Sequence, residues 1–400
     1  MAENYFMGLD GFVWFTGVVE DRNDPAQLGR VKVRCLGFHT ESKTDIPTED
    51  LPWAHIMHPV TDPSMQGMGT TPSFLVEGTW VVGFFRDAVE RQQPIIMGTL
   101  PGYPQNVADK EKGFNDPNAI YPQNPNEISG HDLNESDVNR LARNEENKAH
   151  SVIAKKDADY NAESAKDGRT TGVPIANTTD DNTDSTNEEW TEQASTYAAV
   201  YPKNHVYETE SGHIKEFDDT EGAERIHEYH KSGTFHEVDA SGNKHTRIVG
   251  TNYEVIAGSD FVNVKGTANL TIDSNCNTYI KGNWNIQVDG TKTEVVTGAV
   301  TQTYKDTKTE TVTKAVTETY SDTLTQAVTG DVTETYSATY DQDVTGAVTI
   351  DGSTINLNNG TKGAARLDDT VDTGDDPAGI SGSDVSNKIE SASTTVIIGD

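Results

Sequence analysis

Five histidines crowd one stretch of this 400-residue chain: His213, His227, His230, His236 and His245. Imidazole is a common metal ligand, and His227 and His230, three apart, would share one face of a helix. The residues around them alternate instead, as in "GHIKEFD" and "GTFHEVD". In a strand, residues three apart point to opposite faces, so packing or surface roles are expected and no metal site. Cys35 and Cys276 stand far apart in unlike contexts and read as unpaired thiols of a chain made in a reducing compartment. There is no Gly-rich phosphate loop, Walker-type lysine, serine elbow or Cys/His pair of useful spacing, and "GSDF" and "SGSD" read as turns. The expectation is a protein that is not an enzyme and holds no cofactor.

Composition excludes further classes. Sixty-four acidic and 31 basic side chains give a net charge of −33, which repels nucleic acid and anionic membrane surfaces at long range. Nucleic acid is therefore not an expected partner. "MAENYFMGLDG" has neither a basic flank nor an apolar core, and no run of eighteen apolar residues occurs, so neither a signal peptide nor a spanning helix is expected. Only 34% of residues are apolar, and mean hydropathy is −0.63. Most of the chain cannot bury itself in a private core.

The elements follow from these patterns. Residues 1–104 hold five alternating runs, "FVWFTGVVED", "GRVKVRCLGF", "LPWAHIMHPV", "TWVVGFFRD" and "QPIIMGTLPGY", with Gly and Pro between them. Such spacing predicts a small β-barrel of the OB type. Residues 105–197 are polar and Thr/Asp/Asn/Glu-rich, a partly disordered linker with at most one short helix unless it lies along something else. Residues 198–247 read as short hairpins that feed the next segment.

From 248 to 358 the sequence repeats every eight residues. The anchors are Ile248, Ile256, Val264, Ile272, Ile280, Val288, Val296, Tyr304, Val312, Tyr320, Val328, Tyr336 and Val344. Two places after them come Gly250, Gly258, Gly266, Gly282, Gly290, Gly298, Gly330 and Gly346, as a strand needs where it turns a corner by a sharp kink or a positive φ. A second apolar ladder, Val300, Val316, Leu324, Val332, Tyr340 and Val348, lies four places after the later anchors and is interrupted by Lys308. A period of eight and four is not helical, and Thr-rich alternation favours strands. One chain has too few apolar residues per octad to enclose a core. Three identical chains around one axis would place every anchor inside, so a homotrimeric β-prism is expected.

These stretches resemble the valine-glycine-repeat spike proteins, the central spikes of contractile phage tails and of type VI secretion. The resemblance rests on the barrel with "DPAQLGRVKV", "LPWAHIM" and "QPIIMGTLPGY"; on "YPKNHVYETESGHIKEFDDTEGAERIHEYHKSGTFHEVDASGNK"; on the octads; and on their ending, "IDGSTINLN". It implies an all-β chain with an N-terminal OB barrel that docks on a tail hub protein. It also implies an intertwined trimeric β-helix aimed at the host outer membrane, and a place in the virion, at the tail baseplate. In well-known phage relatives a lysozyme domain follows the barrel. Here 105–197 is too short and polar for one, and carboxylates such as Glu135 and Glu145 lack the apolar pocket that would raise one pKa. In residues 359–400, "AARLDDTV" and "STTVIIGD" resemble pieces of PAAR-type tip domains, which implies a tip, a capping tail or a separate PAAR-type partner. Such tips hold a metal with His and Cys, none of which follows Cys276, and the His-x-His iron site of some members has no counterpart. Alternatives are a type VI spike, a trimeric receptor-binding fibre, or a hydrolase with a divergent lytic segment.

Overall fold

The computed structural model describes residues 12–87, 89–103, 105–119, 136–144, 170–174, 189–353, 370–371 and 387–388. Among them there is no α-helix, and so none long and apolar enough to cross a membrane. The chain divides into two units, Met1–Thr297 and Gly298–Asp400.

The first unit opens with a closed barrel of β1 (Val13–Asp21), β2 (Val31–Cys35), β3 (Trp53–Ile56), β4 (Trp80–Phe85) and β5 (Pro94–Thr99), in the order β1-β2-β3-β5-β4. The five apolar runs of the sequence supply one strand each. Only β3 and β5 pair in parallel, and β1 closes the ring on β4. Alternation sends Phe15, Val19, Val81 and Phe85 inward, where they pack with Val31, Val33, Cys35, Ala54, Leu75 and Ile96. Each buried Val, Leu, Ile or Phe among them contributes about 1.5–3 kcal/mol by leaving water. Closure brings backbones together at Gly83, where a Cβ would collide with the Ile95 carbonyl and the Phe15 ring.

A second layer of polar contacts covers the outside of β2. Arg34, wholly buried, donates from Nε to Glu20 Oε1 at 2.6 Å and from its terminal nitrogens to the carbonyls of Thr40 and Ile46. Glu20 also accepts from Thr48 Oγ1 and from the Phe114 amide. The pair is therefore fully bonded, the condition under which a buried ion pair is tolerated. It ties the loop after β2 and residues 113–114 to the barrel wall.

Residues 204–247 form an antiparallel meander of β8 (Asn204–Glu208), β9 (Ile214–Asp218), β10 (Arg225–Tyr229), β11 (Phe235–Val238) and β12 (Lys244–Arg247). Two short strands precede it, β6 (Val173–Pro174) paired with β7 (Glu189–Trp190). One face of the meander carries Ile214, Glu216 and Asp218, Arg225, His227 and Tyr229, then Phe235 and Glu237, all buried. Parts of the segment read as linker cover that face. Leu141, in a single 3-10 turn (Leu141–Arg143), packs with Ile214, Tyr229 and Phe235, and Tyr197 joins them. The Tyr197 hydroxyl donates to the Leu141 carbonyl at 2.6 Å. Residues 105–119 lie on the barrel, where Gly113 donates to the Glu41 carbonyl. The described parts of these polar segments thus lie against the barrel and the meander.

After β12 the chain bends at 249–250 and then at every eighth residue to 345–346. Between bends it forms no strand ladder with itself, and every residue from 248 to 353 is exposed. The second unit adds one two-residue pair, β13 (Thr370–Val371) with β14 (Asn387–Lys388). Most of "AARLDDTV", all of "STTVIIGD", and Glu135 and Glu145 lie outside the described residues.

Candidate assembly surface

The second residue of each bend occupies the position of the corner glycines, so the sequence period and the backbone period coincide. Between corners the extended chain alternates its side chains, and neighbouring apolar residues separate into two kinds. Ile256 is 47% exposed beside Val255 at 91%, and Ile280 is 43% exposed beside Tyr279 at 85%. All thirteen anchors fall between 42% and 60% exposed. Within each unit these apolar residues stand half exposed, and no described residue buries them.

The corners differ from one expectation. None of the eight repeat glycines has a positive φ, and Ser274, Asp306, Lys314, Asp322 and Ala338 occupy equivalent bends without one. A Cβ added at any of the eight would meet no atom of the chain within 4 Å. Neither backbone strain nor intrachain crowding explains these glycines.

Polar groups on the octads pair locally. The hydroxyls of Tyr320 and Tyr336 donate to Glu318 and Glu334, two residues earlier, at 3.1 and 3.0 Å. Those hydrogen bonds to carboxylates push both phenol pKa values up. Lys292 reaches Glu294 at 2.8 Å, and Lys308 reaches Glu310 at 3.1 Å. Solvent screens such exposed pairs, and they contribute little.

The histidines divide by face. His227 is buried and bonds through Nδ1 to Glu237 at 2.9 Å, whereas His230 lies on the surface beside His213, ring centroids 4.5 Å apart. Backbone amides of Lys231 and Ser232 donate to Nδ1 of His213 and His230. An accepting Nδ1 leaves the proton of the neutral ring on Nε2, without the lone pair a metal would need. No group of three or more His, Cys, Asp or Glu suited to a metal occurs among the described residues. A groove of about 1020 Å³ opens between barrel and meander, spanned by Arg22, which donates to both carboxylate oxygens of Glu210 at 2.7 and 2.9 Å.

Two features were missed in the sequence. Arg225 is held between Glu216 and Glu237, the latter at 2.9 Å, with its guanidinium 5.0 Å above the Tyr197 ring. The signal was available: Glu216 has the parity of Ile214, and Glu237 that of Phe235. The other is an uncovered aromatic patch outside the barrel. There Phe12 packs edge-on to Trp14 at 4.6 Å and against Phe84 at 4.7 Å, with Trp14 52% exposed.

Comparison with known proteins bears on this arrangement. Over 300 residues the chain is 41% identical to Protein Gp5 of Vibrio phage KVP40. Over that stretch the chain is similar to a phage Gp5 protein. The family model described as the Gp5 N-terminal OB domain matches residues 37–188 of the chain. That match begins after β2 and runs past β5, taking in the polar segments that fold onto barrel and meander. Over 115 residues, 28% of the chain, it is also 42% identical to the pre-baseplate central spike protein Gp5 of Enterobacteria phage T4. The aligned regions cover 68% of this chain and 66% of the Vibrio phage protein, and 20% of the T4 protein. The chain therefore aligns with less than two thirds of each relative.

Proposed function

We propose that this chain is the central spike of a contractile phage tail baseplate, working as a homotrimer. Three copies wind their octads around one axis with the thirteen anchors inside and the Thr, Asp, Glu and Lys side chains outside. The observation that carries this reading is the uncovered anchor face. A strictly periodic apolar ladder, half exposed and without a strand ladder of its own, is not stable in water as a single chain. Other copies must supply both the apolar cover and the missing backbone partners. The corner glycines support the same arrangement: their need arises outside the chain, where a neighbouring backbone passes close.

The barrel docks on a tail hub protein, and the aromatic patch of Phe12, Trp14 and Phe84 is the surface suited to it. The role is mechanical. Sheath contraction supplies force, and a thin stiff prism transmits it to a small area of the host outer membrane. Residues 359–400 form the tip or receive a separate PAAR-type tip protein. The phage origin of both relatives supports a tail spike over a secretion spike. The structural name of the T4 relative, a pre-baseplate central spike protein, supports a structural role over an enzymatic one.

Two experiments test this. Image reconstruction of virions should place three-fold density of this protein on the tail axis below the hub; density at the baseplate periphery would make it a fibre. A peptidoglycan zymogram of the purified protein should show no clearing, and clearing would make it a hydrolase.

A further inference from the structure

The octads provide attraction without register. The stretches 296–304, 312–320 and 328–336 read "VTGAVTQTY", "VTKAVTETY" and "VTGDVTETY", and any two differ at two positions. Within 296–336 a chain displaced by sixteen residues meets almost the same side chains, so these octads distinguish aligned from slipped chains weakly. Register must be set by a non-repeating surface adjoining the octads.

The meander supplies one. β12 runs straight into Ile248, so Lys244 and Thr246 share a side of the chain with that first anchor. Pairing carries this side across the sheet, from Lys244 to Val238, to Ile226, to Phe217 and to His205. The opposite face is already buried beneath Leu141 and Tyr197, but this one is open. Ile226 is 46% exposed, Phe217 40%, and Tyr207 in the neighbouring row 68%. Lys215 and Glu228, in that row, pair at 2.6 Å and flank the apolar residues with charge.

Building on the trimeric reading, we infer that the outer face of the β8–β12 sheet packs against a second copy of this chain and sets the register of the octads. Phe217 and Ile226 act as anchors whose positions occur once per chain, unlike the octad valines. An aligned trimer buries them, and a slipped trimer leaves them in water.

The test places a spin label on the new thiol of a full-length Asn277→Cys, Cys276→Ser protein. Position 277 lies an odd number of residues from the anchors, on the outward side, and Cys35 is buried with its thiol pushed up to about 12, so the label goes to one site. Pulsed dipolar spectroscopy of the aligned trimer should give a single short distance. The same protein with Phe217→Ser and Ile226→Ser should keep its trimeric mass but show added longer distances from displaced chains. Both side chains are partly exposed in the single chain, and Ile226→Ser alone, a milder change, should shift the distribution the same way. A single unchanged distance in the double variant would overturn the inference, and so would loss of the trimer, because the octads would then not associate without this face. A monomeric parent protein would instead overturn the proposed function.

Discussion

Arg34 in the barrel and Arg225 in the meander perform one task in different surroundings, each neutralising carboxylates that have left water. Removing one partner leaves a buried charge uncompensated, at a cost of about 3–5 kcal/mol. Arg34→Met should therefore lower the local opening free energy of β1 and β2 by that amount in hydrogen exchange, with the prism unaffected. Glu237 adds a pH dependence. Burial alone would raise its carboxyl pKa, but the His227 hydrogen bond and the Arg225 charge outweigh it and hold the carboxyl at about 2, below its ordinary 4.5. A carboxylate depressed in the folded state stabilises fully above its unfolded pKa and loses that contribution as pH falls through the folded value. Protection of β10 and β11 should thus decline between about pH 4.5 and 2, and Glu237→Gln should flatten that slope. Neither network was read from the sequence. A charged residue at an inward position looks like any polar break in a strand until the segments that cover it are placed.

At the scale of elements, the octads were the most legible part of the chain, since bends fall where the corner positions were counted. What one chain could not show was the strand pairing, whose partners the trimeric proposal assigns to other copies. Face and phase are both testable. Val296→Asp should abolish assembly, because each layer would bury three unpaired carboxylates. Val295→Asp, one residue away and 77% exposed, should leave assembly intact. Deleting residues 312–327 preserves the phase of every anchor and should yield a shorter trimer with little loss of melting temperature. Deleting only 312–314, an odd number, sends all later anchors to the opposite side of the chain, and aggregation or proteolysis of the second half should follow. The barrel strands were equally legible, each from its alternating apolar run. Residues 105–197 were not, because short polar pieces become ordered only against a surface that composition does not reveal.

For the whole molecule, the account rests on one claim: the thirteen anchors are covered by other copies of the same chain. A mass measurement on the purified full-length protein, by native mass spectrometry and by light scattering across a dilution series, tests it most directly. The predicted result is three times 43.5 kDa, unchanged on dilution because folding of the octads and assembly are one event. A stable species of 43.5 kDa with ordered β-structure in the octads would contradict the account, since the anchor face would then be buried by the chain itself.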